Sequence, residues 1–177
     1  SSSFSNGISW KDWIAGVGGC ETAYVAFDKN NPVLMYAGCY QGIITEYSLD
    51  LDNTKDIMAY PSMGLGEPSD EQKYRFNWNA PILVSEHDPN TIYHAANKLL
   101  RTKDRGISWE EISPDLTKNN KENLGPGGGP ITNEGAGGEV YHTIYYIAES
   151  PHNKDVMYTG ADDGLIHITK DGGKNWV

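Results

Sequence analysis

One eight-residue pattern limits what this chain can become. Thr102-Lys103-Asp104-Arg105-Gly106-Ile107-Ser108-Trp109 and Thr169-Lys170-Asp171-Gly172-Gly173-Lys174-Asn175-Trp176 both read Ser/Thr-x-Asp-x-Gly-x-x-Trp. A degenerate copy, Ser3-Phe4-Ser5-Asn6-Gly7-Ile8-Ser9-Trp10, carries Ser5 in place of the Asp. The chemistry of the pattern is that of a tight turn. The Asp carboxylate accepts backbone N–H groups, the Gly tolerates positive φ, and the Trp packs the turn onto the sheet. Asp104, Gly106, Trp109, Asp171, Gly173 and Trp176 are therefore read as structural residues.

A second repeat runs in phase with the first. Turns lead into short strands at Tyr36, Tyr93 and Tyr158, which lie 57 and 65 residues apart. An apolar strand precedes each, at residues 23–27, 80–84 and 143–148, and another strand follows, at 43–47, 99–102 and 165–169. The Asp box then opens a fourth strand, as at Trp109-Glu110-Glu111-Ile112. No segment shows the 3.6-residue periodicity of an amphipathic helix. Four short strands per period of about 60 residues predict an all-β fold. It is a segment of β-propeller, built of four-stranded antiparallel blades with Asp-box turns. About three blades are expected, incomplete at both ends: residues 1–15 as the end of one blade, 16–60 as a second, 61–112 as a leading loop and blade, and 113–177 as a long leading loop and unfinished blade. The remaining blades are expected in the parent chain. Where the second blade needs its Asp box, the chain has residues 48–56. Asp50, Asp52 and Asp56 there superficially resemble a calcium loop, but the Gly and closing Glu are missing, so a solvated turn is expected.

Composition narrows the classes further. The chain has 177 residues, 38% hydrophobic and 21% charged, as in an ordinary globular domain. Gly is frequent at 20, and 11 Tyr with 5 Trp outnumber 3 Phe, which fits many turns and wet aromatic surfaces. A net charge of −10 disfavours nucleic acid and anionic membrane as partners. No apolar run approaches the roughly 18 residues of a membrane span. No metal-ligand spacing appears among the five scattered histidines, and no cofactor motif is present. Gly127-Gly128-Gly129 lacks the strand-before, helix-after context of a phosphate loop.

Several further stretches bear a family likeness. Residues 74–83, 112–117, 128–132, 147–151 and 160–165 resemble a large bacterial family of sortilin-like, BNR-repeat proteins labelled glycosyl hydrolases. The resemblance covers essentially the whole chain. It implies a long secreted, periplasmic or cell-surface protein with tandem propellers, related in architecture to xyloglucanase-type hydrolases and to the ligand-binding propeller of sortilin receptors.

The repeat also places a site. Loops leading into each innermost strand, and those between strands two and three, share one end of a propeller around its channel; the Asp boxes lie at the other end. Alignment on the three tyrosines puts Cys20, Asn77 and His142 in equivalent positions on the channel face. Around them fall Glu21 and Thr22, then Arg75, Trp78 and Asn79, then Glu139 and Tyr141. Facing loops bring Cys39-Tyr40-Gln41, Asn97-Lys98 and Asp162-Asp163. Thr22 is expected near Cys39, Asn79 near Asn97, and His142 near Asp163, where it should gain proton affinity. Cys20 and Cys39 can bridge if their Cα atoms come within about 7 Å. Long Gly/Pro-rich loops at 61–76 and 113–138 border this face.

Three functions are open. A ligand-binding propeller would use Trp78, Tyr40 and Tyr141 as flat faces for a glycan or peptide, with Arg75, Asn77, Asn79 and His142 as polar contacts. A glycoside hydrolase needs two carboxyl groups, for which Glu139, Asp163 and Glu21 stand first, with Asp162 beside them. An assembly module would need neither.

Overall fold

The computed structural model describes residues 16, 18–20, 24–62, 64, 66–132 and 139–177. The degenerate Asp box at Ser3–Trp10, and Glu21 and Thr22, lie outside the described residues.

Three antiparallel sheets follow one another along the chain. The first holds β1 (Val25–Phe27), β2 (Leu34–Gly38), β3 (Ile44–Ser48) and β4 (Asn53–Asp56) in sequential order. The second repeats it with β5 (Ile82–Val84), β6 (Ile92–Ala95), β7 (Leu99–Thr102) and β8 (Glu110–Glu111). The third holds β9 (Ile144–Glu149), β10 (Met157–Ala161) and β11 (Ile166–Thr169). Val177 exchanges backbone hydrogen bonds of 2.8 and 3.0 Å with Ile168, where a fourth strand would pair. The described residues include only two single-turn 3₁₀ segments, Tyr40–Gly42 and Lys121–Asn123.

Register repeats with the sequence. Tyr36 sits opposite Ala26 and Glu46, Tyr93 opposite Leu83 and Arg101, and Tyr158 opposite Ala148 and Ile168. The middle sheet is covered on both faces, so all four residues of β6 are buried. On one face, Ile82, Val84 and Ile92 pack against Tyr36, Ile44 and Ile57 of the first sheet. On the other, Tyr93, Ala95 and Leu99 meet Ile144, Ile147 and Met157 of the third. Covering a side chain such as Ile44 or Leu99 stabilises the fold by about 1.5–3 kcal/mol. Tyr158 and Ile166 hold the corresponding places in the third sheet, yet are 45% and 77% exposed.

The Asp boxes are turns, with one difference from the expected packing. Asp104 Oδ1 accepts from Ser108 N at 2.9 Å and Thr102 Oγ1 at 2.8 Å, while Gly106 N donates to Thr102 Oγ1 at 2.9 Å. Asp171, Asn175, Thr169 and Gly173 repeat this arrangement. Hydrogen bonds from Ser108 and Asn175 hold the Asp104 and Asp171 carboxyls down at about 2. The tryptophans reach past their own sheet. Trp109 Nε1 donates to Ile57 O at 2.9 Å and Trp176 Nε1 to Ile112 O at 3.0 Å, each just after the last strand of the preceding sheet. The turn overhangs the seam closely. A Cβ on Gly106 would lie 2.4 Å from Ile57 Cβ, and one on Gly173 2.5 Å from Ile112 O. The Gly is thus required by proximity as well as by its positive φ, and the box is a staple between sheets.

The first sheet has a plain turn where a box would stand. Asp52, at φ +46°, accepts from Tyr47 Oη at 2.8 Å, and Asp56 from Thr45 Oγ1 at 3.3 Å. Among the described residues no group of three His, Cys, Asp or Glu side chains is placed to hold a metal.

Candidate functional site

At the end opposite the Asp boxes, loops of the second and third sheets interlock. The loop before β5 carries Arg75 to Asn79, the segment before β9 carries Glu139 to Thr143, and the β10–β11 turn carries Asp162 and Asp163. Ile144 N donates to Ala96 O at 2.8 Å and Leu116 N to Asn97 O at 3.0 Å, which ties the long loop after β8 to the sheets.

Arg75, His142 and Asp163 lie behind this face, each no more than 7% exposed. Arg75 donates to Asp115 Oδ2 at 2.7 Å, Thr117 Oγ1 at 3.2 Å and His142 O at 3.2 Å. Asn97 bonds the same Asp115 at 2.8 Å and accepts from Arg75 N at 3.0 Å. Ala95 N donates to Pro81 O at 3.0 Å, which continues the β5–β6 register toward Asn79 and Asn97. Burial pushes the Asp115 carboxyl up, but hydrogen bonds from Thr117, Asn97 and Arg75 outweigh it and leave the group below its ordinary value.

His142, at φ +60°, places Nδ1 2.6 Å from Asp163 Oδ2, the pairing the alignment anticipated. Asp163 also accepts from Lys118 N at 2.7 Å and Leu165 N at 3.3 Å. Burial raises the Asp163 carboxyl, and these bonds, His142 first, bring it below its ordinary value. The carboxylate is thus engaged by three donors and serves as a loop anchor.

In front of these anchors lies an open cleft of about 440 Å³. Asn77, Trp78, Asn79, Glu139, Tyr141 and Asp162 line it, joined by Ile131, Thr132, Val140 and Tyr145. Tyr40 packs behind the wall, its ring edge-on to Trp78 at 5.5 Å between centroids. Asn77 Nδ2 donates to Thr143 Oγ1 at 3.0 Å, and Thr143 Oγ1 donates onward to Asp162 Oδ2 at 2.7 Å. Thr143 N bonds Asp162 Oδ1 at 3.1 Å. Burial raises the Asp162 carboxyl and the charge of Asp163 adds to it, so the Thr143 bonds do not bring it back to its ordinary value.

The structure thus divides the sequence-selected residues. It gathers Asn77, Trp78, Asn79, Glu139 and Tyr141 at the cleft, sets Tyr40 behind them, and seats Arg75, His142 and Asp163 in the supporting layer. Tyr145 and Val140 also line the cleft. Tyr145 stands in a strand that reads as core, and its 48% exposure is the signal that separates it. Cys20 and Cys39 form a disulfide with Cα atoms 5.2 Å apart, fixing the turn that carries Tyr40.

No protein-family model and no curated protein sequence matches the chain. Among solved structures, the GH74 xyloglucanase from Xanthomonas campestris superposes with a TM-score of 0.51 at 18% identity, over 86% of this chain and 22% of that one. YCF48 bound to D1 peptide superposes with a TM-score of 0.51 at 17% identity, over 88% of this chain and 38% of that one. The fold is a β-propeller segment. At these identities the likeness concerns fold alone. The chain spans about a fifth of the xyloglucanase and under two fifths of YCF48.

Proposed function

We propose that this chain is part of an Asp-box propeller, of the sortilin-like, BNR-repeat kind, that holds a glycan or peptide on its channel face. The observation that carries the reading is the cleft between the second and third blades, where Trp78, Tyr141 and Tyr145 stand beside Asn79 and Asp162. Aromatic faces next to a few fixed polar groups are the usual makeup of a binding pocket. Buried anchors, the Arg75–Asp115 pair and the His142–Asp163 pair, pre-organise its walls. In this reading residues 16–60, 61–112 and 113–177 are successive blades of a larger propeller, and further blades complete the channel. The Cys20–Cys39 bond supports a secreted, periplasmic or cell-surface setting.

A second reading, a glycoside hydrolase, draws on one observation. Glu139 and Asp162 line the same cleft, and the Asp162 carboxyl is raised, as a general acid requires. The superposed structures favour neither reading, since one is a xyloglucanase and the other holds a peptide.

Binding of oligosaccharide and peptide panels by the native protein and Trp78→Ala tests the proposal. A loss of about 1–3 kcal/mol in the variant, the range of a buried aromatic hot spot, is expected. Unchanged affinity in a folded Trp78→Ala protein would remove the cleft as the site. Product release that Glu139→Gln or Asp162→Asn abolishes, with binding retained, would establish the hydrolase instead.

A further inference from the structure

We propose that the cleft selects a cationic group on a peptide, the guanidinium or ammonium of an Arg or Lys side chain. This names the ligand class of the site put forward above and rests on that reading.

The charges that line the cleft are of one sign. Among the described residues lining the cleft, the charged groups are both acids, Glu139 and Asp162; no Lys, Arg or His side chain reaches it. The cations nearest the walls are occupied elsewhere. Arg75 is held by Asp115, Thr117 and His142 O, the Lys118 ammonium by Asp163 O at 2.7 Å, and His142 by Asp163. Asp162 receives hydrogen bonds from Thr143 N and Thr143 Oγ1. A carboxylate has about four acceptor sites, so two directions stay available to a donor from the cleft. Burial penalises its charge and its neighbour Asp163 repels it, by more than the Thr143 bonds and His142 offset.

The lining also holds neutral donors, the Asn79 amide and the Tyr141 and Tyr145 hydroxyls, so charge and not donor count separates the candidate ligands. Asn77 gives one Nδ2 hydrogen to Thr143 and takes Asn79 N on its Oδ1, which leaves one donor and one acceptor direction of its amide. A neutral sugar can use these groups, but it brings no charge to set against the two acids. An Arg or Lys side chain brings donors and a positive charge only. Trp78, Tyr141 and Tyr145 supply ring faces, which attract cations as well as apolar stems. The net charge of −10 draws such a group toward the protein.

The test uses three probes and isothermal titration calorimetry on the intact chain. They are acetyl-Gly-Gly-Arg-Gly-Gly-amide, its citrulline counterpart with the same shape and no charge, and cellotetraose. The Arg peptide is expected to bind at least about fivefold more tightly than the citrulline peptide. That gap should close to within about twofold in Asp162→Asn, and also in 0.5 M NaCl, where screening shortens to a few ångströms. The salt experiment and a Glu139→Gln variant carry the test if Asp162→Asn fails to fold. Equal binding of the two peptides, or tighter binding of cellotetraose that salt leaves unchanged, would overturn the proposal while leaving the cleft as a site. Absence of binding by all three probes would overturn it too. The cleft itself falls only if Trp78→Ala leaves every panel ligand unaffected.

Discussion

His94 makes the seam between the first two blades sensitive to acid. Its side chain is fully buried in β6, stacked on Phe76 at 4.7 Å and tilted against Trp109 at 6.2 Å between centroids. Neither ring nitrogen has a hydrogen-bond partner among the described residues. Burial alone drives its pKa down to about 3, from the 6.5 of an exposed imidazole. As pH falls through 6.5 the unfolded chain takes up this proton and the folded chain does not. The stability tied to neutral His94 is therefore complete above pH 6.5 and drains away between 6.5 and about 3. Each pH unit in that window removes about 1.4 kcal/mol, so acidification from pH 6.5 to 4.5 should destabilise the protein by about 3 kcal/mol through this residue. His94→Leu keeps a similar volume and removes the titration. Urea unfolding followed by tryptophan fluorescence, run on both proteins at pH 7.0, 5.5 and 4.5, isolates the effect. The native protein should lose about 3 kcal/mol more than the variant across that range. Parallel pH dependence in the two would refute a neutral His94 buried in the seam.

Three other outcomes follow from the same geometry. Asp104→Ala should lower Tm by roughly 2–4 °C in a chain of this size and leave ligand affinity unchanged, because the Asp box lies at the far end of the blades; selective loss of binding in a folded variant would contradict this. Arg75→Met leaves Asp115 without its cation and should destabilise the fold by about 3–5 kcal/mol in urea titrations, as breaking buried pairs does; a loss within 0.5 kcal/mol, the scale of an ordinary surface change, would place Arg75 outside the framework. Reduction of Cys20–Cys39, 19 residues apart, should lower stability by about 3 kcal/mol, and mass spectrometry under non-reducing conditions should show no free thiol; two free thiols in secreted material would rule out the bond.

Much of the architecture was legible because repetition reports it. Tyr36, Tyr93 and Tyr158 marked the register, and the structure places each on the second strand of its sheet, paired with the strand before it and the strand after it. The destination of Trp109 and Trp176 was not legible. A local motif states that the turn is tight, while the carbonyl it meets lies 52 residues upstream at Ile57 and 64 upstream at Ile112. The site shows the same limit. Sequence brought His142 to Asp163 because the pairing of β9 with β10, which sets Ile144 opposite Ala161, runs on toward these two residues. It could not separate side chains that face the cleft from those that anchor loops behind it. Arg75 and Asp163 were polar residues interrupting apolar strands, as Asn79 was, and only their partners Asp115 and Lys118, from a long loop of no regular period, decide which way they face.

The most direct measurement is hydrogen–deuterium exchange of the intact chain with and without the tightest-binding member of the glycan and peptide panels. Ligand-dependent protection should appear at residues 77–79, 131–132, 139–145 and 162, the walls of the cleft. Protection concentrated instead at the Asp-box turns, residues 102–109 and 169–176, would contradict the account.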